Sequence, residues 1–262
     1  MKILEAIRLQ KIKEVEERKS LYPVKLLEKS MYFETQCVSL KSYISNEKHS
    51  GIIAEFKRKS PSKGNINLYT DVEKVTLGYM QAGASALSVL TDDTFFGAKQ
   101  QDITIARKLN YCPILRKDFI IDEYQIIESK AMGADTILLI AKMLPPSVIN
   151  HFTDFAHRLG MEVLLETHTE TEIIENINTT ADLVGINNRN LNTFDVDVEN
   201  SIRLAGMLPK TILKIAESGI ESANVVKELK NNGFSGFLIG EYFMRNNDPA
   251  AKCAELVKEL RV

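Results

Sequence analysis

At 262 residues, 44% of them hydrophobic and 26% charged, the chain has the makeup of a soluble globular protein, which excludes disordered, collagen-like and membrane-embedded classes. A formal net charge of −2 gives no global attraction to nucleic acid or anionic lipid, so any basic segment must act locally. Cys37, Cys112 and Cys253 form no C-x-x-C, and His49, His151, His157 and His168 never fall four apart, so neither a disulfide framework nor a metal site is expected.

The chain opens on MKILEAIRLQKIKEVEERK, whose apolar positions are interrupted by charges every two or three residues. That pattern suits an amphipathic helix and not the apolar core of an export signal, and the run ILLIA at Ile137 to Ala141 is far too short to span a bilayer. The cytoplasm is the expected compartment, with no membrane partner. Leu21-Tyr22-Pro23 breaks the helix, a second short helical segment is expected at about Val24 to Ser30, and residues 1–50 read as an N-terminal helical extension lidding one end of the larger unit that begins at residue 51.

From residue 51 the chain repeats. GIIAEFK, ALSVLTD, CPILRKD, TILLIAK, EVLLETH, LVGINNR, TILKIAES and GFLIGEY are eight short apolar runs, each closing on polar residues. Between them lie amphipathic stretches of helical period, among them VEKVTLGYMQAGA, EYQIIESKAMGA, SVINHFTDFAHRLG and SANVVKELKNNG, with a glycine before the next strand that suits a helix C-cap. Continuous apolar strands imply a parallel sheet covered on both faces. Eight βα units over residues 51–262 fit an α/β fold of the TIM-barrel type, (β/α)8, better than an open doubly wound sheet, and the glycine-rich nucleotide signatures of open sheets are missing. Extension and barrel are expected to form a single domain overall.

In such a barrel the C-terminal ends of the strands build the active site. There the first run offers Glu55 and Lys57, two apart and so on one side; the third offers Lys117, the fifth Glu166, the sixth Asn187 and Arg189, the seventh Glu217 and Ser218 before Gly219, and the eighth Gly240 before Glu241. Singly each has a plain reading: KRKSPSK as a solvated loop or nucleic-acid patch, Lys117 and Arg189 as surface charges, the glycines as tight turns, and His168 in ETHTE as a loop or surface residue. Convergence on one rim favours a site, and a nucleic-acid patch would not be led by Glu55. Glycines at two consecutive strand ends suit a phosphate, which backbone N–H groups and a short helix N-terminus can receive.

Taken together these segments resemble the indole-3-glycerol phosphate synthase family. IIAEFKRKSPSKG, PILRKDFI, GADTILLIAKML, VGINNRNL, IAESGI and FLIGEYFMR stand in that family's order and spacing, and the resemblance covers essentially the whole chain. It implies a carboxy-lyase of tryptophan biosynthesis that closes the pyrrole ring of 1-(2-carboxyphenylamino)-1-deoxyribulose 5-phosphate with loss of CO₂ and water. By the same resemblance Lys117 is the general acid for ring closure, Glu166 a general base, and Lys57 and Glu55 act beside the substrate carboxylate and in the dehydration. Asn187, Arg189, Glu217 and Ser218 hold and polarise substrate; Ser60, Gly219, Gly240 and Glu241 surround the phosphate; Phe96, Phe119, Leu138 and Leu191 wall the anthranilate ring.

A lysine serves as acid here if apolar walls and neighbouring cations lower its pKa toward neutrality, and no step demands a metal or organic cofactor. GAKQQD follows Phe96 where the family more often shows GGS, and Glu241 replaces a serine of some members, which limits any phosphate contact there to its backbone N–H. The rest of the cationic stretch, punctuated by Pro61 and Gly64, reads as a mobile loop closing over substrate. The expected partner is a small phosphosugar and not nucleic acid; a monomer is favoured, the oligomeric state itself being unreadable from sequence. Two alternatives stay open at this level. One is another phosphosugar barrel enzyme, such as an isomerase needing a Cys/Asp pair at strand ends, where Cys112 opens its run at the wrong rim. The other is a nucleic-acid module built on KRKSPSK.

Overall fold

In the computed structural model, which describes residues 3–190 and 194–261, the eight apolar runs are strands: β1 Ile52–Phe56, β2 Ala86–Leu90, β3 Ile114–Lys117, β4 Thr136–Ile140, β5 Glu162–Thr167, β6 Leu183–Asn187, β7 Leu213–Glu217 and β8 Gly236–Ile239. Each pairs in parallel with its neighbour in sequence, and β8 pairs with β1 in the register Ile52↔Phe237, so the sheet closes on itself. This is the expected (β/α)8 barrel. Every residue of β1, β2, β4 and β8 is buried, because side chains of one parity fill the interior while those of the other meet the surrounding helices.

The amphipathic stretches form the outer ring. Helices Val72–Gln81, Glu123–Met132 and Ala223–Asn231 start on Asp71, Asp122 and Ser222, whose side chains accept hydrogen bonds from first-turn N–H groups, each worth about 1 kcal/mol. Gly83, Gly133, Gly160 and Gly233 take φ values of 96°, 88°, 73° and 87°, the left-handed caps expected before the next strand.

The extension folds as α1 Ile3–Leu21, α2 Val24–Leu27 and α3 Leu40–Ser45. α3 was not expected; Ser39 caps it by accepting from the Ser42 N–H, and Leu40 and Ile44 are its buried face. The extension reaches both ends of the barrel. α1 lies across the C-terminal mouth, where Lys11 Nζ sits 2.9 Å from both Asp92 Oδ2 and Asp118 Oδ1, residues that follow β2 and β3. α3 covers the opposite rim: Ser39 Oγ donates to Glu162 Oε1 at 2.5 Å at the start of β5, and Ile44 packs against Gly236 at the start of β8. Behind α1, buried Arg116 donates to Asp118 (2.9 Å) and Glu128 (2.8 Å), and Arg18 donates to Glu128 at 2.5 Å. A residue leaving such a network strands a buried charge.

Candidate active site

The period of two along each strand aims the last inward-facing side chains into the mouth. Glu55, Leu90, Lys117, Ile140, Glu166, Asn187 and Glu217 all line a cavity of about 160 Å³ there. Lys117 stands at the centre: its Nζ donates to Glu166 Oε2 at 2.7 Å and to Glu217 Oε2 at 2.6 Å. Asn187 Nδ2 donates to Glu166 Oε1 at 3.2 Å, and Lys57 Nζ lies 2.8 Å from Glu55 Oε1. The two acid–base pairs expected from sequence are therefore in one space.

Two glycines make room for these carboxylates. A Cβ on Gly185 of β6 would fall 2.2 Å from Glu217 Oε1, and one on Gly240 would fall 2.3 Å from Glu55 Oε1. Gly185 was missed; only its position two residues before Asn187, on the same side of the strand, signals it. Gly240 has φ −123°, so its backbone does not require glycine; the adjacent carboxylate does. At the end of β7, Ser218 and Gly219 are both left-handed, with φ 67° and 69°. A non-glycine residue there costs about 1–3 kcal/mol. Asn188 Nδ2 donates to Ser218 O at 2.6 Å, which holds the turn.

Burial pulls the Lys117 pKa down, but Glu166, Glu217 and Glu55 overturn that and hold the ammonium above its usual range. The lowering expected from neighbouring cations is not what this site does, because carboxylates surround the lysine. The two glutamates that flank it diverge. Burial, with the charge of Glu166, pushes Glu217 up to about 7, and its Oε1 is buried without a hydrogen-bond partner. Glu166 also suffers burial, yet Lys117 and His168 hold it well below the ordinary carboxylate range.

Phe96 and Phe119 line the cavity as an adjacent pair, their tilted rings in contact with centroids 5.9 Å apart, and Leu138 lines it with them. Leu191 lies outside the described residues. Unanticipated apolar walls come from Leu90, Phe194 and Leu238 and from Ile3, Leu4 and Ile7 of α1. Nothing in the strand pattern points to the α1 contribution. On the far rim Ser60, Gly219, Gly240 and Glu241 also line the cavity. Glu241 does more than present its N–H: its carboxylate accepts from Arg189 at 2.9 Å and lies 3.5 Å from Lys63 Nζ.

The stretch EFKRKSPSKG is not a loop of free cations. Lys59–Ser60 and Gly64–Asn65 form a small antiparallel hairpin. Arg58 is buried, paired with Asp102 (Nη2 to Oδ1, 3.0 Å) and stacked 4.8 Å from the Phe56 ring centroid, and Lys59 Nζ donates to Thr94 O at 2.7 Å. His168 is a second correction. It is not at the surface: its side chain is 5% exposed, with Nε2 3.2 Å from Glu166 Oε1. The two-residue rule that paired Glu55 with Lys57 would have found it. Cys112 and Cys253 are buried, and burial pushes both thiols up to about 12, so neither offers a thiolate. Among the described residues no group of three or more His, Cys, Asp or Glu side chains is placed to hold a metal ion.

A family model described as indole-3-glycerol phosphate synthase matches residues 4–256. An indole-3-glycerol phosphate synthase of Bacteroides thetaiotaomicron is 46% identical over 259 residues, covering 99% of each chain. One from Campylobacter jejuni is 39% identical over 250 residues, covering 94% of this chain and 96% of its own. Among solved structures, a thiamine phosphate pyrophosphorylase of Pyrococcus furiosus superposes with TM-score 0.60 at 17% identity, over 82% of this chain and 98% of the other. A chain of the tryptophan synthase α2β2 complex from a hyperthermophile, Pyrococcus furiosus, gives TM-score 0.56 at 15% identity, over 81% and 98%. The last two share the barrel alone.

Proposed function

Because the chain belongs to the indole-3-glycerol phosphate synthase family, we propose that its mouth closes the pyrrole ring of 1-(2-carboxyphenylamino)-1-deoxyribulose 5-phosphate, releasing CO₂ and water. One observation carries this reading: a buried ammonium, Lys117, donates to two carboxylates, Glu166 at 2.7 Å and Glu217 at 2.6 Å, in a cavity that also has aromatic walls and a glycine-lined rim. The aryl ring packs against the wall that Phe96, Phe119 and Leu138 present, and the phosphate meets Ser60, Gly219, Gly240 and the Glu241 backbone. Lys117 protonates the ketone oxygen as the aryl carbon attacks. Glu166 serves as base, Lys57 meets the substrate carboxylate, and Glu55 beside it takes part in the dehydration. Asn187, Arg189, Glu217 and Ser218 orient the sugar chain.

Each cation in this set already has a carboxylate partner: Lys57 with Glu55, Lys117 with Glu166 and Glu217, Arg189 with Glu241. Substrate anions enter by exchange, and a carboxylate released from its cation is a stronger base. Because Arg58 is buried against Asp102 and Lys59 is tied to the Thr94 carbonyl, the basic stretch supports a small-molecule partner over nucleic acid. Among the described residues no helix is long and apolar enough to cross a membrane; the reading favours a cytoplasmic enzyme and a monomer. The test is direct: purified protein is mixed with the carboxyphenylamino substrate and indole fluorescence is followed. Absence of product overturns the reading.

A further inference from the structure

One buried titratable side chain at the mouth has no task in the proposed reaction. His168 stands two residues after Glu166, so both side chains leave the strand on one side. Its ring is 5% exposed, with Nε2 3.2 Å from Glu166 Oε1 and Nδ1 3.6 Å from Glu172 Oε2. Glu172 Oε2 also accepts from the His168 backbone N–H at 2.7 Å, which fixes that carboxylate beside the ring, whose two buried nitrogens face the carboxylates as ionic neighbours without a hydrogen bond. Thr169 caps the helix Glu170–Glu175 by accepting from the Glu172 N–H at 3.2 Å, which sets that carboxylate in place. The result is an alternation of charges, Glu172, His168 and Glu166, that ends on the carboxylate proposed as general base.

We propose that His168, clasped by Glu172, is a positioning residue for the general base: an imidazolium that keeps the Glu166 carboxylate ionised and turned toward the reacting centre after Lys117 has given up its proton. The proposal rests on the role assigned to Glu166. Its logic is electrostatic. While Lys117 is an ammonium, Glu166 has a cation at 2.7 Å. Once that proton moves to the ketone oxygen, the charge is gone, and a buried carboxylate with no cation beside it takes up a proton. A second cation on its other oxygen prevents this. The groups facing the pair are few. Glu166 and Glu172 face the imidazole, and Lys142 acts on Glu172 from beyond β4. Glu166 is faced by Lys117 from β3, Asn187 from β6 and Glu217 from β7. Burial disfavours the charged ring, but the two carboxylates outweigh it and raise His168 to about 9, so it stays charged through neutral pH.

The test uses His168→Gln, which keeps an amide but no charge. The acid limb of kcat/KM, where Glu166 is protonated, should move up by about one pH unit, and kcat at pH 7 should fall about tenfold with KM changed less than about threefold. In a Glu166→Gln background the same change should add almost nothing. Glutamate carrying ¹³C at the side-chain carboxyl reads the midpoint directly, with Glu166 assigned by its absence from the Glu166→Gln spectrum. An upward shift of that midpoint supports the proposal even if Glu166→Gln turns over normally, a result that would defeat the general-base role separately. An unmoved midpoint, or losses that multiply in the double variant, overturns it. Should His168→Gln not fold, Glu172→Gln leaves the ring in place without its clasp and should move the midpoint the same way by less; no shift there overturns the proposal equally.

Discussion

Replacing Gly185 by alanine should disable the site by displacing Glu217, although Gly185 itself has no side chain to offer the substrate. The added Cβ would fall 2.2 Å from Glu217 Oε1 and 3.3 Å from its Cδ, far inside ordinary contact. Gly185 does not use a left-handed backbone, so the peptide accepts alanine and the displacement falls on the glutamate. Glu217 must retreat, which breaks its 2.6 Å bond from Lys117. A charge-assisted hydrogen bond of this kind is worth about 1.5–3 kcal/mol, and therefore kcat/KM should fall about 10- to 150-fold. The assay is steady-state indole fluorescence, with a thermal melt to show that the barrel survives. In a Glu217→Gln background the alanine should add less than about threefold, since the interaction it breaks is already altered. Turnover within about twofold of wild type refutes the reasoning, as does an equally large loss in the Glu217→Gln background.

Lys117→Met removes the proton donor and should cost turnover at least about 10²-fold, the scale of general-acid catalysis, while circular dichroism stays native; a variant keeping a tenth of its activity contradicts the assignment. Gly240→Val forces Glu55 aside, because the Cβ would lie 2.3 Å from its Oε1, so kcat/KM should fall even for a substrate without phosphate and further for the phosphorylated one; a loss confined to the phosphorylated substrate would return this glycine to the phosphate alone. Lys11→Met leaves Asp92 and Asp118 buried beside no ammonium and should lower unfolding free energy in urea by about 3–5 kcal/mol. His168 rises from 6.5 to about 9 in the fold, so the stability it contributes is fully present below about pH 6.5 and lost as pH rises through about 9. The difference in Tm between wild type and His168→Gln should therefore shrink across that window, and a difference constant with pH would contradict it.

Local periodicity made most of the fold legible in the sequence. Eight continuous apolar runs implied a parallel sheet, and the residues closing them share a rim once the barrel closes, which is why Glu55, Lys57, Lys117, Glu166, Asn187 and Glu217 lie together. α1 over the mouth was not legible, since its Lys11 meets Asp92 and Asp118 across long stretches of chain and no spacing announces such pairs. Gly240 was legible as special but for an incomplete reason: sequence shows that a side chain is missing, not what occupies the space. His168 was misjudged because an imidazole between two carboxylates resembles a polar loop until Glu172 is seen to clasp it.

The proton balance of the proposed reaction explains why the central lysine is not the softened acid that sequence suggested. Ring closure delivers a proton to the ketone oxygen, a second expels that oxygen as water, and one returns from carbon, so departure of the carboxylate as CO₂ consumes one proton per turnover. A site doing this needs a proton in reserve beside a base that stays ionised. In the proposed reaction Glu217, raised to about 7 by burial and the charge of Glu166, would hold the reserve besides orienting substrate, and Glu166, held low by Lys117 and His168, would be the base. Lys117 lies between them at 2.6 and 2.7 Å and connects the two. An alkoxide developing on the ketone oxygen is a stronger base than an amine, so an ammonium with a raised pKa still protonates it. Such an ammonium also does not lose its proton to solvent beforehand, and the neighbouring Glu217 carboxyl can restore what it gives. The carboxylates that make Lys117 a weak acid are thus the same groups that keep it charged and resupply it.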